Sequence, residues 1–214
     1  MRGDIIIVEE HHRNAAELII QRLMKQISTK EGRFTMTVAG ESGSGKSETA
    51  LALAQTLEAR GVSAAVLQQD DYFVHPPKTN DLTRRKDISW VGPQEVRLDL
   101  LDDHLKLALD GEGCIVKPLV LYAEDCIHEE TLSIEGAKVV IAEGTYTTLL
   151  ENVDVHVFIA RNRLETMAHR RLRAREAPDP FIEDVLQIEH EIISENRERA
   201  HIIITRNYDV QFSP

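Results

Sequence analysis

Residues 40–47 read Gly-Glu-Ser-Gly-Ser-Gly-Lys-Ser, the spacing of a loop that wraps phosphate groups in backbone amides. Glycine at positions 40, 43 and 45 lets the N–H groups turn inward, where a Cβ would obstruct either the backbone angles or the close approach. Lys46 then reaches the β- and γ-phosphates, and the Ser47 hydroxyl is placed to ligate Mg²⁺. Gly40, Glu41, Ser42, Gly43, Ser44, Gly45, Lys46, Ser47 and Glu48 make up the expected nucleotide-binding set, with ATP and Mg²⁺ as the implied ligands.

Other groups suited to phosphoryl chemistry follow apolar segments. In open parallel sheets, sites form outside the carboxyl ends of the strands. Glu143 follows the run Lys-Val-Val-Ile-Ala at 138–142, where an acid can hold Mg²⁺ directly or through water. Asp70 and Asp71 follow the run at 63–69, and either is suited to orient an acceptor hydroxyl and take its proton. Residues 169–175 hold four arginines. Arg170 and Arg173 share one helical face and Arg171 and Arg175 another, an arrangement that fits the charge on a transferring phosphate. Pro178 and Pro180 just beyond them suit a segment that closes and excludes water.

The elements needed to position these groups are legible in the apolar spacing. Residues 34–39 form a strand that enters the glycine loop, and residues 47–60 a helix with Leu51, Ala54 and Leu57 on one side, closed by Gly61. A second buried strand at 63–69 completes a βαβ unit, followed by a Pro/Asn-rich loop through residue 80. A helix is expected from Pro93 to Gly111, a small hairpin from residues 114–121 and 131–134, and buried strands at 138–142 and 154–160. Helices at 163–176 and 182–199 and a last strand at 201–205 complete the order. Alternating strands and helices imply a mostly parallel sheet covered on both faces. Residues 1–33 read as a strand and helix preceding the domain of residues 34–214, with an apolar stripe at Leu18, Ile19, Leu23 and Ile27 that suggests self-association.

Bulk properties narrow the function. A net charge of −11 argues against gripping a polyanion, so no nucleic acid partner is expected. The two cysteines, Cys114 and Cys126, give no disulfide framework and suit a reducing cytoplasm. Cys126 and His128 lack further ligands at zinc spacing and read as ordinary side chains. The apolar runs fall far short of the roughly 20 residues needed to span a bilayer, so no membrane association is expected.

Together, the glycine loop, Gln69-Asp70-Asp71-Tyr72-Phe73, the strand ending in Glu143-Gly144 and the arginine-rich segment resemble the uridine kinase and phosphoribulokinase family, over roughly residues 34–206. The resemblance implies a P-loop NTPase α/β three-layer sandwich with a helical lid. It matches Asp70 to the family's catalytic Asp, Glu143 to its strand-end acid, and Arg170 and Arg173 to its lid arginines; Lys46 completes the implied catalytic set. It also implies a small-molecule acceptor, uridine or cytidine in the first place, with Asp71, Tyr72 and Tyr122 as candidate contacts. The alternatives are another polyol, such as a sugar, a pantothenate-like alcohol or a sugar phosphate, or a regulatory NTPase.

The acceptor side departs from the family pattern. Residues 76–80, Trp90 and residues 118–125 stand where the family carries its nucleoside-holding segments, and they fall between strand ends. Such walls suit a neutral, hydroxyl-rich acceptor, unless Lys78, Arg84, Arg85, Lys86 or Lys117 turns inward and supplies positive charge. A nucleoside-like acceptor is therefore expected ahead of a sugar phosphate.

Overall fold

The computed structural model describes residues 6–162, 165–166 and 179–213. The expected helix at 163–176, with Arg170 and Arg173, lies outside the described residues. A six-stranded sheet runs β2 (Ala64–Gln68), β5 (Val139–Gly144), β1 (Phe34–Gly40), β6 (Val155–Ile159), β7 (Ile202–Ile204) and β8 (Val210–Phe212). All neighbours pair in parallel except β7 and β8, whose antiparallel turn the apolar spacing did not announce. A separate antiparallel hairpin joins β3 (Cys114–Leu121) to β4 (Cys126–Ser133).

Both faces of the sheet are covered, which is why its central strands read as unbroken apolar runs. Side chains alternate across a strand, so Val139 and Ile141 enter one core cluster while Val140 and Ala142 enter the other. On the first face, α1 (Glu10–Thr29) and α2 (Lys46–Glu58) pack together over β1 and β5. On the second, Leu101 and Leu105 of α4 (Leu98–Leu109) and Ile193 of α5 (Pro180–Glu195) cover Val140 and Phe158.

The expected N-terminal stripe is covered by the chain's own core. Ile19, Ile20, Leu23 and Ile27 are buried there, and Leu18 alone of the expected set stays exposed. Four such side chains at roughly 2 kcal/mol each rival the net stability of a whole domain, so α1 is a structural part of the first layer. Residues 6–8, expected as strand, form irregular chain.

Two boundaries moved for local reasons. The expected loop through residue 80 contains helix α3 (Pro77–Lys86), with Pro77 at the first helical position, where its fixed φ favours a helix start. The helix expected from Pro93 begins only at Leu98, because Val96 is extended against Phe73 and the Arg97 amide bonds the Tyr72 carbonyl. Among the described residues, no helix is long and apolar enough to cross a membrane.

Candidate active site

The sheet register brings the chemical groups to one edge. Gln68 of β2 lies opposite Glu143 of β5, which lies opposite Val38 of β1, two residues before the loop. Strand ends, loop and the 3-10 turn Gln69–Tyr72 therefore converge at the carboxyl side of the sheet.

The loop starts directly at the strand end. At Gly40, φ is +155°, and a Cβ there would lie 2.8 Å from Ser44 Oγ and 3.0 Å from the Ile159 carbonyl. Lys46 Nζ donates to the Glu41 carbonyl at 3.0 Å, which holds the ammonium over the loop. The Glu41 carboxylate is buried, with Oε1 2.6 Å from His190 Nδ1 of α5, and this contact ties α5 to the loop.

Glu143 is buried, and Ser47 Oγ donates to its Oε1 at 3.0 Å. Burial, followed by the nearby Asp70 charge, pushes the Glu143 carboxyl up to about 7, against the opposing pull of Lys46 and the Ser47 hydrogen bond. A hydroxyl and a carboxylate converging beside a phosphate loop are hard oxygen donors, a set that fits Mg²⁺. Asp70 is exposed, whereas Asp71 is buried.

Asp71 Oδ2 accepts from Lys117 Nζ at 2.7 Å, and its Oδ1 accepts from the Val120 amide at 3.1 Å. Lys117 also pairs with Glu130 at 2.8 Å. Asp71, Lys117 and Glu130 line a cavity of about 240 Å³ that reaches Ser47 and Glu143, with Gln68 and the apolar side chains of Leu51, Val66, Leu119 and Leu132 completing most of its wall. No aromatic side chain lines it among the described residues.

The glycine loop, Ser47 and the strand-end acid Glu143 thus meet at one site. Residues 35–173 match the model of the phosphoribulokinase / uridine kinase family. The chain belongs to that family. It is 28% identical over 194 residues to the bifunctional alpha-galactosidase/sucrose kinase AgaSK of Mediterraneibacter gnavus, a match covering 84% of this chain and 21% of that protein. It is 26% identical over 179 residues to a uridine kinase of Leuconostoc citreum, covering 78% of this chain and 84% of the relative. The structure of a possible uridine kinase from Bacillus stearothermophilus superimposes with a TM-score of 0.64 at 18% identity, covering 89% of this chain and 97% of that one. The shared fold is the α/β three-layer arrangement of the P-loop kinases.

Measured against this kinase family, the expected acceptor contacts separate. Asp71 lines the cavity. Tyr72 is fully buried in the second core, its hydroxyl 2.8 Å from His104 Nδ1, and Tyr122 sits half-exposed beside the β3–β4 turn, outside the cavity wall. Trp90 Nε1 donates to Asn80 Oδ1 at 2.9 Å, and Asn80 and Arg84 both bond the fully buried Glu95. Arg84 reaches Glu189 as well, at 3.4 Å, and Arg85 pairs with Asp81 and Asp179. Three cations that flank the expected acceptor walls, Lys117, Arg84 and Arg85, are thus each matched by two carboxylates.

The Lys117–Asp71 pair was missed, although a signal exists. Ile115, Lys117 and Leu119 alternate on one face of β3, and a lysine in an inward register requires a buried partner. The Glu41–His190 contact had no such signal, because 149 residues separate the two. At the hairpin turn, ligand atoms of Glu124, Cys126 and His128 come within 4.8 Å of one another, a grouping that the spacing of Cys126 and His128 did not suggest.

Proposed function

We propose that the protein transfers the γ-phosphate of ATP to a hydroxyl of a neutral, hydroxyl-rich small molecule of the sugar type. The observation that carries this reading is the 240 Å³ cavity opening onto Ser47 and Glu143. Its polar groups are Gln68, Asp71, Lys117, Glu130 and the two site residues, and the Lys117 charge is already balanced by Asp71 and Glu130. Hydroxyls can both donate to such carboxylates and accept from an ammonium, whereas a phosphorylated acceptor would need uncompensated cations.

In this reading Lys46 and the loop amides hold the triphosphate, and Asp70 orients the acceptor hydroxyl and accepts its proton. Mg²⁺ held by Ser47 and Glu143 would neutralise charge on the phosphates. Arg170 and Arg173, outside the described residues, are assigned to meet charge on the migrating phosphoryl group. The 28% identity to a protein named as a sucrose kinase supports a sugar-type acceptor.

A nucleoside acceptor, uridine or cytidine, is the second reading. It is favoured by the match to a protein named as a uridine kinase over 84% of that relative's length. Against it stands the cavity wall, which among the described residues offers no aromatic plane on which a base would stack. Initial rates of ADP formation with sucrose, fructose, glycerate, uridine and cytidine separate the two. Saturable turnover with a sugar supports the first reading, and turnover confined to the nucleosides replaces it with the second.

A further inference from the structure

The first turn of α1 and the turn between β7 and β8 meet behind the phosphate loop. Tyr208, in the turn between β7 and β8, is buried and donates its hydroxyl to the Ser44 carbonyl at 2.7 Å. His12, in the first turn of α1, is buried beside it, with the two rings edge-to-face and their centroids 4.9 Å apart. His12 Nδ1 accepts from the Glu9 amide at 3.1 Å, so the proton of the neutral ring sits on Nε2. That nitrogen abuts the loop. A Cβ on Gly45, where φ is +98°, would lie 3.0 Å from His12 Nε2 and collide with the Tyr208 hydroxyl. On the other side the Arg161 guanidinium stands 5.5 Å from the centre of the Tyr208 ring.

A trans peptide is planar, and its C=O and N–H point in opposite directions. Anchoring the Ser44 carbonyl to Tyr208 therefore turns the Gly45 N–H of the same peptide to the far side, away from α1 and the β7–β8 turn. Left unanchored, a peptide between a serine and a glycine could rotate, because the glycine φ is not confined by a side chain. Burial pushes the His12 imidazole down to about 4, so at neutral pH the ring supports Tyr208 as a neutral group and adds no positive charge beside Arg161.

We propose that Tyr208, braced by His12, is a positioning residue for the phosphate donor: it fixes the Ser44–Gly45 peptide so that the Gly45 N–H is presented to the triphosphate. Both residues lie outside the span 35–173 that matches the family model, so the N-terminal helix and the C-terminal hairpin act on a site carried by the family core. The inference rests on the ATP-dependent reading given above.

The test is Tyr208→Phe, which keeps the ring and its packing and removes only the hydroxyl. Wild type and variant are titrated with Mg·ATP and with inorganic tripolyphosphate, and each is melted without ligand. Losing the hydroxyl, with its bond to Ser44 and its contact to Arg161, should weaken both ligands by the same factor, roughly three- to tenfold, and lower the ligand-free Tm by only about 2–4 °C. A smaller loss of the same kind is expected for His12→Ala. Unchanged tripolyphosphate affinity in Tyr208→Phe, or a loss confined to ATP, would overturn the proposal, because either result places the hydroxyl away from phosphate binding. A wild type that binds neither ligand would overturn the kinase reading and this inference with it.

Discussion

Glu143→Gln should make the protein more stable at alkaline pH while destroying its activity. In the folded chain the Glu143 carboxyl titrates at about 7, against 4.5 for an ordinary glutamate, because burial and the Asp70 charge both disfavour the ionised form. The folded state therefore holds a proton that the unfolded state has released between those two values. Stability contributed by the neutral carboxyl is fully present below pH 4.5 and is lost as pH rises towards and through 7. A shift from 4.5 to about 7 corresponds to about 3 kcal/mol at pH 8, as an order of magnitude. Glutamine never ionises, so the variant should exceed wild type by up to about this amount at pH 8 and match it near pH 4. Urea unfolding of both proteins from pH 4 to 8, without nucleotide or Mg²⁺, measures the difference. Parallel curves with no pH-dependent gap would refute the buried, Asp70-coupled carboxyl. Retained turnover in the variant would refute its role with Mg²⁺.

Asp70→Asn should lower kcat by roughly 10²-fold or more with little effect on stability, since the exposed carboxylate has a chemical rather than a structural role in this account. Asp71→Asn should instead cost roughly 1–2 kcal/mol in denaturant unfolding, because it weakens the hydrogen bonds to Lys117 and the Val120 amide and leaves Glu130 as the remaining carboxylate on the buried ammonium; a reversed order would exchange the two assignments. Replacing Arg170 or Arg173 by Ala should depress kcat by about 10²-fold while raising KM for ATP far less, and steady-state kinetics with unchanged kcat in both variants would remove them from the transition state.

Much of this site was legible because its chemistry is local in sequence. The glycine loop, Lys46 and Ser47 occupy eight consecutive positions, 40–47, and Glu143 ends an apolar run that can only be a buried strand. The paired register that sets Gln68, Glu143 and Val38 side by side follows from parallel pairing once those strands are recognised. What escaped notice depends on long-range closure. Tyr72 was expected at the acceptor, but the 3-10 turn rotates it into the core towards His104, 32 residues away, and leaves Asp71 on the cavity side. The N-terminal stripe showed that something must cover it, yet amphipathic spacing does not say whether the cover is a second copy or the chain's own α2. Prolines 76 and 77 read as loop because proline breaks helix interiors, although it equally favours the first helical turn.

Following the γ-phosphate itself separates transfer to an acceptor from hydrolysis. With Mg·ATP and the panel of sugars, glycerate and nucleosides, ³¹P NMR distinguishes a new phosphate monoester from free phosphate. The wild type should form an acceptor-dependent monoester in step with ADP, and a folded Lys46→Ala variant, whose loop lacks the ammonium for the β- and γ-phosphates, should form none. ADP formed at the same rate with every acceptor and with none, accompanied only by inorganic phosphate, would contradict transfer to an acceptor and make the protein a nucleotide hydrolase.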